Sequence, residues 1–130
     1  YLIATVPITT LCPCSKEISK YGAHNQKCKV IITLYGDYEN IDFDLLITEI
    51  EKQFSANVYS TVKREDEKYI TEKAYENPKF SEDLIRDLLI NISALYDGKV
   101  EAELINYESI HEHNVYAKGT IDTKRKVLKV

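Results

Sequence analysis

Lys27–Gly36 reads KCKVIITLYG, and the fold turns on how this stretch is read. Cys28, Val30, Ile32 and Leu34 fall on one side of an extended chain, and Lys29, Ile31, Thr33 and Tyr35 on the other. That period of two is what a half-buried strand requires. The Gly36-Asp37-Tyr38-Glu39-Asn40 segment then turns the chain. A strand buried on one face needs neighbours along its edges and an apolar cover, and both are legible nearby. Residues 1–8, from Tyr1 to Ile8, read as an apolar strand. Lys99–Tyr107 repeats the alternation, with Val100, Ala102 and Leu104 against Glu101, Glu103 and Ile105, and Asn114–Asp122 reads as a fourth strand.

The cover is helical. Phe43, Leu46, Ile47, Ile50 and Phe54 recur at the three-to-four spacing of one helix face between Asp42 and Phe54. Asn77-Pro78 reads as N-cap and first-turn proline of a second long helix. Its stripe is Phe80, Leu84, Ile85, Leu88, Leu89, Ile92 and Leu95, with Gly98 as its stop. Between the helices a polar stretch leaves room for a short helix running to Glu76. The order is β-β-α-α-β-β, an α+β fold with a four-stranded antiparallel sheet and two helices packed on one face. The uncovered face and the sheet edges then call for oligomerisation.

At 130 residues, 44% hydrophobic and 29% charged, the chain suits one folded domain, residues 1–130. A net charge of -4 argues against a nucleic-acid binder, and no apolar run approaches a membrane span. The sequence holds no methionine and opens directly on a strand, which raises the expectation of a piece of a longer protein. Three cysteines, two of them too close for an unstrained disulfide, suit a reducing compartment, so the cytoplasm is expected.

Chemistry-bearing residues cluster in the connections. Leu11–Ile18 reads LCPCSKEI, and His24 follows in GAHNQ. A thiolate and an imidazole in one loop can begin a transition-metal site. They can equally be a buried thiol and a loop histidine, since Cys12 and His24 match no four-ligand zinc spacing. His111-Glu112-His113, after Glu108, can supply ligands, proton carriers or solvated loop residues. Glu65-Asp66-Glu67 and Glu82-Asp83 offer carboxylates, although acids in a first helical turn also favour the helix dipole.

Three blocks carry a family resemblance: VPITTLCPCSKEISKYGAHNQ (Val6–Gln26), KREDEKYITEKAYENPKFSEDLIRD (Lys63–Asp87) and NYESIHEHNVYAK (Asn106–Lys118). In order and spacing they resemble the signatures of the type IB GTP cyclohydrolase I family. The resemblance implies the tunnelling fold, whose unit is the β-β-α-α-β-β order above, and a chain corresponding to the carboxyl-terminal half of a tandem subunit. It implies a homo-oligomer, a tetramer of such tandem subunits with sites at or near interfaces. The implied reaction opens GTP at C8, releases formate and yields 7,8-dihydroneopterin triphosphate, the entry to folate.

By matched position, the resemblance makes Cys12, His24 and Glu67 ligands of a divalent metal, zinc or manganese, with iron as a further choice. Cys12, His111, His113 and Glu108 become catalytic-site residues, and Glu82 the acid that anchors guanine. Lys63, Arg64 and Lys68, with Lys73, are candidates for the triphosphate. Cys14 is expected beside the metal rather than on it. The chain departs from the family in having Lys27 after HNQ, KREDEK rather than KRPDEK, and Lys73 in TEK; lysine lacks the planar fork of arginine, which bears on phosphate contacts. Two other readings share these residues. One is a related enzyme using Cys12 as a covalent nucleophile, like a nitrile reductase, and the other is a non-catalytic purine- or pterin-binding module.

Overall fold

The computed structural model describes residues 1–54, 56–57, 63–125 and 127–130. Strand β1 (Leu2–Leu11) runs into a short helix α1 (Pro13–Ile18), followed by β2 (Asn25–Tyr35) and α2 (Phe43–Lys52). Then come β3 (Ala56–Asn57), α3 (Arg64–Glu76) and α4 (Ser81–Ser93), and finally β4 (Lys99–Tyr107), β5 (Val115–Asp122) and β6 (Val127–Lys129).

These strands form one sheet in the order β3-β1-β2-β4-β5-β6, and each neighbouring pair is antiparallel. The α+β fold expected from the sequence is therefore present. Among the described residues its sheet has six strands rather than four, because two- and three-residue strands extend the edges. Pieces that short carry no periodicity to read.

The KCKVIITLYG stretch does what its alternation demands. Cys28, Val30, Ile32 and Leu34 are all 2% exposed or less. Register brings Ala4 against Ile32 and Ile8 against Cys28 on one side, and Leu104 against Val30 and Ala102 against Ile32 on the other. Above this face lie Leu46 and Ile50 of α2 and Leu84, Ile85, Leu88, Leu89 and Ile92 of α4. Full burial of each such side chain is worth roughly 1.5–3 kcal/mol, so α4 alone contributes a large share of the fold. Asp42 caps α2, its carboxylate accepting from the Leu45 N–H at 3.2 Å.

Four readings are corrected. The cysteine loop holds helix α1, started by Cys12 as N-cap with Pro13 in its first turn. Asn77 is the C-cap of α3, and α4 begins at Ser81 after Phe80. The Asn-Pro pair therefore separates two helices rather than opening one. Phe43 and Phe80 are 47% and 41% exposed, so the apolar stripes are shorter than the spacing suggested. α4 ends at Ser93, and Gly98, at φ 151°, sets the entry to β4 instead, where a Cβ would come 3.1 Å from the Tyr35 carbonyl oxygen.

Candidate active site

The inward stripe of the sheet changes character at one end. Going from the core outward, Ile8 gives way to Thr10 on β1, Cys28 to Gln26 on β2 and Leu104 to Asn106 on β4. Thr10, Gln26 and Asn106 are 2%, 8% and 4% exposed, so the periodicity continues while the chemistry turns polar. The Thr10 hydroxyl donates to Asn106 Oδ1 at 3.0 Å. The Gln26 Oε1 has no partner among the described atoms.

Above this polar floor is a cavity of about 220 Å³. The β1–α1 junction gives it Cys12 and Pro13, the approach to β2 gives His24 and the strand's start Gln26, and the start of α4 gives Phe80, Ser81 and Glu82. Glu108 and His111 come from the β4–β5 connection. Residues as far apart in the chain as Cys12 and Val115 thus meet because β1 and β4 end where β2 begins and α4 starts beside them.

Main-chain geometry ties the sulfur and the imidazole residues to each other. The Cys12 N–H donates to the His24 carbonyl oxygen at 3.2 Å. Ser15 bridges them: its hydroxyl donates to the Cys12 carbonyl oxygen at 3.1 Å and accepts from the His24 N–H at 3.3 Å. The Ser15 N–H also reaches Cys12 Sγ at 3.5 Å. His24 Nδ1 lies 3.1 Å from Ser109 Oγ, which leaves Nε2 as the ring nitrogen free to meet a ligand. Sequence reasoning missed Ser15, Ser109, Gln26 and Asn106. Serine and amide residues have no distinctive spacing, and only the pairing of strand ends reveals them.

The other proposed site residues stand differently. Glu67 lies in the first turn of α3 and lines a separate cavity with Arg64, Lys68 and Glu72. Lys68 Nζ is 2.8 Å from Glu72 Oε1, and that hydrogen bond raises the lysine pKa. Lys63 precedes the helix, and its N–H donates to Asp66 Oδ2 at 3.0 Å, so Asp66 serves as a capping acid. His113 is outside the first cavity. The segment from Ser109 to His113 is bent rather than extended, yet the His111 and His113 rings stack at 5.3 Å between centroids. Cys14 is exposed on α1. Among the described residues, no group of three or more His, Cys, Asp or Glu side chains stands close enough to hold a metal ion. The structure therefore joins Cys12, His24, Glu82, Glu108 and His111, and places Glu67 with Arg64 and Lys68 elsewhere.

Comparison with known proteins follows the same residues. The family model described as type I GTP cyclohydrolase FolE2 matches residues 1–117. The GTP cyclohydrolase FolE2 of Neisseria gonorrhoeae is 49% identical over 115 residues, covering 86% of this chain and 44% of that protein. The protein of the same name from Bordetella pertussis is 48% identical over 119 residues, covering 89% of this chain and 44% of that protein. The chain spans less than half the length of these curated relatives.

Proposed function

Since the chain belongs to the type I GTP cyclohydrolase FolE2 family, we propose that it supplies the catalytic cavity of a metal-dependent GTP cyclohydrolase I. The reaction opens the purine at C8, releases formate and gives 7,8-dihydroneopterin triphosphate, the first step of folate synthesis. One observation carries this reading: a thiol, an imidazole, a guanine-matching carboxylate and a second histidine line one cavity.

The donor set suits a divalent ion of zinc type, with manganese or iron also accommodated, because Cys12 and His24 bring sulfur and nitrogen to one place under main-chain restraint. Cys12, His24 and Glu67 would hold it, Glu67 requiring the start of α3 to reach the first cavity. When bound, such an ion would act as a Lewis acid and lower the pKa of water toward about 7.

The chain's own groups do the rest. The Glu82 carboxylate accepts the N1–H and amino N–H of guanine side by side, a donor pair adenine lacks. His111 moves a proton at N7, with His113 stacked on it and Glu108 beside it as further groups for proton traffic. Lys63, Arg64 and Lys68 meet the triphosphate, Lys68 by exchanging its Glu72 partner for phosphate. The assembly is a homo-oligomer of tandem units, and a reducing compartment such as the cytoplasm keeps the free thiols of Cys12, Cys14 and Cys28 available. No helix among the described residues is long and apolar enough to cross a membrane.

The test uses full-length protein purified without oxygen. GTP-dependent formate release should vanish on chelation and return with a divalent metal. A stable covalent adduct on Cys12 in metal-free protein, without formate, would replace this reading with the nucleophile chemistry. Glu67→Ala should lose bound metal, and Glu82→Ala should lose GTP binding while keeping the metal.

A further inference from the structure

We propose that Gln26 reads the sugar of the bound nucleotide, its side-chain carbonyl accepting a hydrogen bond from a ribose hydroxyl. The inference rests on the reading that this cavity takes GTP.

Gln26 is 8% exposed, lines the cavity, and has an Oε1 with less than 1 Å² accessible and no partner. A buried acceptor left unpaired destabilises a fold, so such a group calls for a partner that arrives later. Its neighbours on the floor differ: Asn106 Oδ1 already accepts from Thr10. The terminal torsion of a glutamine is broad, so a small turn of the carboxamide presents the oxygen to the space its side chain lines.

The ligand's chemistry then narrows the donor. Guanosine carries N–H donors at N1 and the amino group, and O–H donors at the 2′ and 3′ positions. Glu82 takes N1–H and one amino N–H from the α4 side. Gln26 follows His24 by two residues and lines the same cavity, so a purine held at N1 by Glu82 with C8 turned toward the sulfur and imidazole would carry its N9 side toward Gln26. In that pose the sugar, which hangs from N9 beside C8, falls to the Gln26 side. The acceptor therefore meets a hydroxyl rather than the remaining amino hydrogen.

The experiment measures nucleotide affinity by calorimetry on full-length, metal-loaded, reduced protein, with His111→Ala in every arm to prevent turnover. Gln26→Met and Gln26→Leu should each weaken GTP by about 3- to 10-fold, the size of one neutral hydrogen bond. Either 2′-deoxyGTP or 3′-deoxyGTP should be weakened similarly with Gln26 present, and show no further loss with Met or Leu. The melting temperature without nucleotide should hold or rise, because an unpaired buried carbonyl has been removed. GTP affinity unchanged by both substitutions would overturn the inference, as would both deoxynucleotides losing as much as GTP does. A falling melting temperature with equal losses for all nucleotides would show a structural role and overturn it too. Those results leave the proposed function standing, whereas no GTP binding with Gln26 intact would remove that function and this inference together.

Discussion

At the scale of single residues, two side chains show how surroundings decide chemistry. His24 Nδ1 sits 3.1 Å from Ser109 Oγ, a contact that orients the ring and leaves the other nitrogen for a ligand. Partners of this kind typically change metal affinity 10- to 100-fold. Ser109→Ala should therefore weaken metal retention by about 10-fold against a competing chelator, with Ser109→Thr restoring it. Unchanged retention would show that the contact plays no part in holding the ion. Cys28 is the opposite case, a thiol of the core at 2% exposure, where burial pushes its pKa up to about 12 from 9.0. The thiol stays protonated in the fold while the unfolded chain loses its proton above pH 9, so the unfolded state binds fewer protons there. Stability is unaffected below pH 9 and falls between about pH 9 and 12, by up to about 1.4 kcal/mol per pH unit from this group. Cys28→Ala or Cys28→Val should flatten that alkaline slope in urea titrations at stepped pH. In native metal-free protein, Cys14 should react with a thiol reagent well before Cys28.

At the scale of elements, α4 lies so close on β5 that one residue sets the spacing. A Cβ on Gly119 would meet Leu89 Cδ1 and the Lys129 carbonyl oxygen at 2.8 Å and Ile85 Cγ2 at 2.9 Å. Main chain of β6 and two fully buried side chains of α4 cannot all give way, so Gly119→Ala should cost about 1–3 kcal/mol by overpacking. Equilibrium denaturation reads this directly, and a loss below about 0.5 kcal/mol would mean that α4 slides without penalty. The same close approach explains what the sequence disclosed and what it hid. Alternation in Lys27–Tyr35 and Lys99–Tyr107 and the Leu84–Ile92 stripe were legible because burial acts on every second or every third-to-fourth residue. The start of α4 was not, since Asn77-Pro78 carries start signals that serve to end α3 and space the helices. Phe80 opens α4 with no side-chain cap, and its ring lines the cavity instead. A reader of capping preferences would pass over it. For the candidate site, motif resemblance supplied Cys12, His24, Glu82 and His111. The polar floor of Thr10, Gln26 and Asn106 emerged only when strand register placed three ordinary residues side by side.

At the scale of the whole molecule, the sheet is covered on one face and open at its ends. The core face is closed by α2 and α4, while the opposite face mixes Lys118 with Glu101 and Glu103 at 3.4 and 3.6 Å. Beside them Tyr116 is 58% exposed, its hydroxyl pKa raised first by desolvation and then by the Glu103 charge. At the β6 edge, Val127 and Leu128 are 43% and 41% exposed on a three-residue strand that pairs with β5. Exposed apolar residues on an edge strand invite another strand, and proteins that avoid such pairing place charge there. This edge is therefore the surface on which a contact between copies in the proposed homo-oligomer is tested. Leu128→Lys in the full-length protein should lower the oligomer size in sedimentation velocity while leaving the far-ultraviolet circular dichroism spectrum unchanged. Two further consequences separate an interface from a packing role. The substitution should make the melting temperature depend more steeply on protein concentration, as assembly is weakened. It should also lower formate release per chain in dilute solution and recover it at high concentration, because the cavity's proposed third metal donor and phosphate contacts come from α3, which the isolated unit places apart from Cys12 and His24. An unchanged sedimentation coefficient at micromolar concentration would assign the oligomer contact to another surface.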